Sequence, residues 1–135
     1  MRIIKASYIL PLNTAPIKNG YLYIEDDGTV IHVNDVAPIT NQFDVEVYEG
    51  ILCPGFVNTH CHLELSHMKG LMPEGSGLPK FVSLIPKLRQ TSKVDKFKSI
   101  KTADQNMFKS GIVAVGDISN TTESLSVKKN SAIRY

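Results

Sequence analysis

Cysteine, histidine and long apolar runs are all scarce in this 135-residue chain. Its two cysteines, Cys53 and Cys61, cannot build a disulfide framework, and neither belongs to a CxxC pair. A reducing compartment is the default for such a sequence. No window approaches the roughly 20 apolar residues of a membrane span. The apolar stretch behind Arg2 and Lys5 is short, contains Ser7 and stops at Pro11, unlike a signal peptide. These absences predict a cytoplasmic protein with no membrane partner. There is also no internal repeat and no low-complexity tract. What remains, an apolar content of 42% over this length, suits a soluble globular protein with a workable core.

The formal charge of +2 hides an asymmetry. Residues 1–79 carry four Lys/Arg against nine Asp/Glu, and residues 80–135 carry eleven against four, so the halves stand at −5 and +7. A basic second half raises the idea of a nucleic-acid-binding interaction module. Lys87, Arg89, Lys93, Lys96, Lys98 and Lys101 fit a solvated helix face equally well. Nothing beyond charge favours nucleic acid, and none is expected as a partner.

The first fifty residues read as strands. Tyr21 to Ile24 leads into Asp26-Asp27-Gly28 and Thr29 to Val33 leads away, a hairpin signal because Asp and Gly suit tight turns. His32, in the second arm, is expected to be an ordinary strand polar residue. Phe43, Val45 and Val47 alternate with Asp44, Glu46 and Tyr48, the period of a half-buried strand. Ile51 to Val57 is mostly apolar around Pro54-Gly55, as a parallel strand buried on both faces would be, and Cys53 is expected in the core.

A loop rich in Gly and Pro follows from Gly70 to Pro79. Phe81, Leu84, Ile85 and Leu88 then predict a short helical stripe interrupted by Pro86. A second helix is expected from near Ser92, as its cap, through Val94, Phe97, Ile100, Ala103 and Met107, with Gly111 as its stop. Ile112 to Val115 predicts another strand, Asn120 or Thr121 the cap of a further short helix, and Ser131 to Tyr135 the start of one more strand. Strands alternating with helices from Ile51 onward mean a parallel sheet, open or closed into a barrel.

Three of the four histidines fall within PGFVNTHCHLELSH, residues 54–67. Alternate strand residues share a face, so His60 and His62 project the same way, about 7 Å apart along the strand. Two imidazoles so placed can converge on one divalent metal such as zinc or iron. The pair stands where an apolar strand gives way to polar Asn58 and Thr59, and α/β folds place active sites at such carboxyl ends. Glu64 follows on the same parity. Cys61 points the other way, toward packing.

The string PGFVNTHCHLE resembles the opening motif of the amidohydrolase superfamily, in which a strand reading PGxxxxHxH follows a small β-sandwich and begins a (β/α)8 barrel. HCHLELS is similar to the branch holding chlorohydrolases, guanine deaminases, adenosyl-type nucleoside deaminases and aminodeoxyfutalosine deaminases. The resemblance implies an α/β fold: residues 1–53 as the N-terminal part of the β-sandwich, and 54–135 as the first two to three β/α units of the barrel. It implies His60 and His62 as metal ligands, one divalent ion, Zn or Fe, and Glu64, His67 and Asp117 near the substrate. His67 is also readable as a solvent-exposed loop residue, and Asp117 as a strand-terminal cap. The activity implied is hydrolysis of a C–N or C–Cl bond in a purine-like or other heterocyclic substrate by metal-activated water.

The family's remaining ligands and its proton shuttle come from later strands. A full barrel needs ~250 residues, whereas Val57 to Tyr135 spans 79. The chain is therefore expected to be an inactive fragment with weak metal affinity, and to form a homo-oligomer or pair with a complementary chain. A cupin, the leading rival, would also begin HxH, but should carry a glutamate at position 66 or 67, where Ser66 and His67 stand. Its all-β fold conflicts with the helix expected from Ser92 to Ser110. Zinc nucleobase deaminases with PCxxC are excluded by the missing CxxC.

Overall fold

The computed structural model describes every residue except 40–43 and 92–93, so Phe43 and Ser92 lie outside the described residues. The chain divides into two compact units, Met1–Pro54 and Gly55–Tyr135.

In the first unit, strand β1 (Arg2–Ile9) is the spine. Its Ile3, Ile4, Ala6 and Ile9 are buried, which a central strand achieves by offering apolar residues to both faces. Two strands, β2 (Ile17–Lys18) and β3 (Tyr21–Ile24), pair with it antiparallel, β4 (Val30–Asn34) continues beyond β3, and β5 (Val45–Leu52) pairs with β1 in parallel. The β3–β4 hairpin closes as the sequence predicts. Glu25 donates its N–H to Thr29 O, and the Asp27 carboxylate accepts the Thr29 N–H at 2.8 Å, the local bond that suits aspartate to turns. His32 is exposed on β4, its ring edge-on to Tyr23.

The apolar run Ile51–Val57 is not one strand. Ile51 and Leu52 end β5, Pro54 supplies no ladder donor, and a new strand, β6 (Phe56–Cys61), opens the second unit. Nor is the run buried: Phe56 and Val57 are 59% and 62% exposed. Cys53 is half-buried rather than core.

The second unit continues with a 3-10 helix (Leu63–Met68), α1 (Leu78–Thr91), α2 (Lys96–Lys109), β7 (Ile112–Asp117) and α3 (Leu125–Lys129). β6 and β7 pair in parallel, as the alternation of strands and helices requires. Arg134 extends the arrangement, donating to Val113 O and accepting from the Val115 N–H. Hydroxyls of Ser131 and Tyr135 fasten this last segment to the Asp104 carboxylate on α2, at 2.6 and 2.7 Å.

Three local expectations change. Helix α1 runs through Pro86 instead of stopping there, although proline removes one helix bond. Helix α2 is capped by Asp95, whose carboxylate accepts the Lys98 N–H at 3.0 Å. Asn120 and Thr121 do not cap α3, which begins only at Leu125 after Ser124. Gly111 does end α2, with the positive φ of 83° that a left-handed helix stop needs.

Leu63, Ile100 and Val127 form the buried cluster of this unit, with Cys61, Ala103 and Met107 packed against it. Cys61 therefore packs, as its strand parity predicts. The histidine motif is fixed to the core from behind by Leu63, its next residue.

Candidate metal centre

His60 is the penultimate residue of β6, and His62 stands one residue past the strand's end. The β6–β7 register carries a bulge here: Asn58 faces Val115 and Cys61 faces Asp117, so Thr59 and His60 share the space opposite Gly116. A Cβ on Gly116 would lie 2.9 Å from Thr59 O. Only glycine permits this close approach. Replacing Gly116 with alanine is expected to push the strands apart at the bulge and lower the melting temperature; an unchanged melting curve would contradict the requirement.

The two imidazoles converge. His60 Nε2 and His62 Nε2 are 3.2 Å apart, and the rings meet edge to face with centroids 5.1 Å apart. His62 Nδ1 lies 2.8 Å from Ile118 O. A carbonyl only accepts, so Nδ1 carries the hydrogen and Nε2 of the neutral ring presents its lone pair toward His60. Two nitrogens on one tetrahedral zinc at 2.0–2.1 Å stand about 3.3 Å apart. The pair thus fits a divalent ion in donor type and in spacing. Among the described residues, no group of three or more His, Cys, Asp or Glu could hold a metal.

Glu64 does not continue the strand parity, because the strand has ended and Glu64 sits in the first turn of the 3-10 helix. Its side chain is 1% exposed. Its Oε2 accepts the N–H groups of Asn120 and Thr121 at 3.1 and 2.8 Å and the Thr121 hydroxyl at 2.7 Å, while Oε1 pairs with Arg89. Burial works against ionisation, but the Thr121 and Asn120 donors and the guanidinium outweigh it and hold the carboxyl below its usual range. Asp117, at the end of β7, is equally enclosed. It accepts from Leu63 N–H at 2.7 Å and Ser119 Oγ at 2.8 Å, and pairs with Lys128. Burial is again opposed by Lys128 and these donors, and its carboxyl too is pulled below the ordinary range.

His67 is neither in a loop nor exposed. It lies on the 3-10 helix, 4% exposed, with Nδ1 3.1 Å from Glu64 O. Its Nε2 is buried and has no hydrogen-bond partner among the described residues. Arg89, read from the sequence as part of a solvated basic face, instead reaches the buried Glu64. Asn120, Thr121, Ser119 and Lys128 are further contributors that sequence reasoning missed. The run Ser119-Asn120-Thr121 carries no periodicity, and only the parallel pairing of β6 with β7 brings it to the motif.

Both depressed carboxyls stabilise the folded state at neutral pH. Their contribution is complete above the unfolded values near 4 and is lost as pH falls through the lower folded values. Acid unfolding of the helical unit is therefore expected below about pH 4, followed by circular dichroism; loss of structure between pH 7 and 5 would contradict this account.

No family model matches the chain. A 5'-deoxyadenosine deaminase from Methanococcoides burtonii is 28% identical over 121 residues, 86% of this chain and 27% of that protein. The crystal structure of Helicobacter pylori aminofutalosine deaminase, in complex with methylthio-coformycin, superposes with a TM-score of 0.76 at 22% identity, covering 98% of this chain and 33% of that one. Atrazine chlorohydrolase TrzN from Arthrobacter aurescens TC1, complexed with zinc, gives 0.69 at 14% identity, over 99% and 34%. The chain spans about a quarter to a third of the length of these proteins. Among the described residues no helix is long and apolar enough to cross a membrane. The helices and parallel strands also set aside an all-β cupin. In its succession of a strand-rich unit, the HxH strand and β/α units, this chain has the fold of the N-terminal third of amidohydrolase-superfamily barrel proteins.

Proposed function

We propose that the chain supplies the first metal-ligand strand of a metal-dependent amidohydrolase, a hydrolytic deaminase or chlorohydrolase acting on a C–N or C–Cl bond of a purine-like or other heterocycle. The observation that carries this reading is the 3.2 Å approach of His60 Nε2 to His62 Nε2, with His62 Nδ1 tied back to Ile118 O. The deaminases and the zinc-bearing chlorohydrolase that share the fold support it.

His60 and His62 would hold one divalent ion, zinc or iron. When bound, it supplies Lewis acidity that activates water for attack on an sp2 carbon. The chain's own residues supply orientation. His62 is held in the tautomer that offers Nε2, and Cys61 and Leu63 anchor the motif in the core. Glu64 and Asp117 keep their protons off and their oxygens engaged by the scaffold, so their reach toward substrate is through the loops they brace. A catalytic zinc takes three protein ligands and a water. With two histidines, the 135-residue chain is expected to bind zinc weakly and to show no turnover.

Calorimetric titration with zinc tests the pair directly. Binding by the chain should disappear in His60→Ala and in His62→Ala; affinity unchanged by both substitutions would remove them as ligands. Release of ammonia or chloride from aminopurines and chlorinated heterocycles, assayed with a preparation containing the complete barrel, tests the reaction class. The exposed apolar residues of β6 also lead us to propose self-association or pairing with a complementary chain. A monodisperse monomer at all concentrations in sedimentation would contradict it.

A further inference from the structure

The 3-10 helix after β6 and the end of β7 each send a carboxylate to the other's segment. Asp117, from the β7 side, accepts the N–H of Leu63, the residue that follows His62. Glu64, from the β6 side, accepts the N–H groups of Asn120 and Thr121 and the Thr121 hydroxyl. Each carboxylate has its own cation, Lys128 for Asp117 and Arg89 for Glu64. Between these two crossings lies the Ile118 carbonyl, which receives His62 Nδ1–H, and the Ile118 N–H, which donates to Cys61 O at 2.8 Å.

We infer that Glu64 and Asp117 form a reciprocal carboxylate clamp that positions the Ile118 carbonyl and thereby fixes the tautomer and aim of His62. The need for it is physical. His62 and Ile118 both lie one residue beyond their strands, where the regular ladder no longer holds the backbone. An imidazole's free nitrogen is a dependable ligand only when its other nitrogen has a fixed acceptor. A carbonyl in an unbraced loop would not provide one. The clamp braces that loop on both sides of Ile118, through residue 117 before it and residues 120 and 121 after it. Glu64 and Asp117 are thus positioning residues, acting on the metal site through His62.

The inference rests on the reading of His60 and His62 as ligands for its metal arm, and on geometry alone for its tautomer arm. The test uses the 135-residue chain as wild type, Glu64→Gln and Thr121→Val. The second variant removes one hydroxyl bond and leaves both amide bonds, so it retains the fold if the first does not. Imidazole nitrogen chemical shifts should show a single Nδ1–H tautomer for His62 in the wild type and a mixture in the variants. Zinc affinity should fall about 10–100-fold in Glu64→Gln, and by less in Thr121→Val. Folded variants that keep one His62 tautomer would overturn the clamp, whether or not zinc binds. A wild type that binds no zinc yet shows the tautomer change would overturn the metal reading and leave the clamp standing.

Discussion

Replacing Asp117 by alanine is expected to cost about 3–5 kcal/mol of stability, because it leaves one member of a buried ion pair without its counter-charge. Lys128 is 14% exposed and the Asp117 side chain 1%. The same change strips the Leu63 N–H of its acceptor and removes one of the Ser119 hydroxyl's partners. Urea unfolding followed by the helical circular-dichroism signal is the measurement, since all the described helices belong to the second unit. A double variant, Asp117→Ala with Lys128→Met, should recover part of the loss by removing the stranded ammonium. If the single and double variants are equally unstable, the ion pair is not what Asp117 contributes. If the single variant unfolds at the wild-type urea concentration, the buried network itself is wrong.

Leu63→Ala is expected to be comparably damaging, at about 2–5 kcal/mol. Leu63 is 1% exposed and packs with Ile100 and Val127, so truncation leaves a cavity on the inner side of the histidine motif. Against a total stability of about 5–15 kcal/mol, a loss near the upper end would leave the unit marginal. The effect should reach the candidate site, because the Leu63 backbone N–H also holds Asp117. Co-variation of urea midpoint and zinc affinity across Leu63→Val, Leu63→Ala and wild type would show that coupling. A wild-type urea midpoint in Leu63→Ala would refute the placement of this side chain in the core.

The local signals were legible wherever a residue's role depends on near neighbours in sequence. The Asp27-Gly28 hairpin, the Gly111 stop and the inward packing of Cys61 follow from turn chemistry, backbone freedom and strand parity. The alternation of strand and helix from β6 to α3 did too, whereas the strand expected from Ser131 to Tyr135 is a single bridge at Arg134. Pro86 is the local rule that failed: it loses one helix bond, yet α1 continues on both sides of it. Asp95 caps α2 in place of the expected Ser92, a boundary three residues further along the chain.

The candidate site divides in the same way. Spacing alone brought His60 and His62 to one side of a strand end, and resemblance named the family of barrels in which such a pair occurs. Parity could not follow the chain past Cys61, where the strand gives way to a 3-10 helix. For that reason Glu64 and His67 were placed wrongly in the local structure. The partners of Glu64 lie 25 residues away at Arg89 and 56 and 57 residues away at Asn120 and Thr121.

The sequence by itself determined the pairing of His60 and His62 at one strand end, the alternation of strands and helices and the Asp27-Gly28 turn, because these depend on residue type and short spacing. Only the tertiary structure decided that His62 is aimed by Ile118 and that Glu64 and Asp117 brace the loops around it. Those contacts exist because β6 and β7 lie side by side in parallel, which sets distant loop residues within hydrogen-bonding reach of one another.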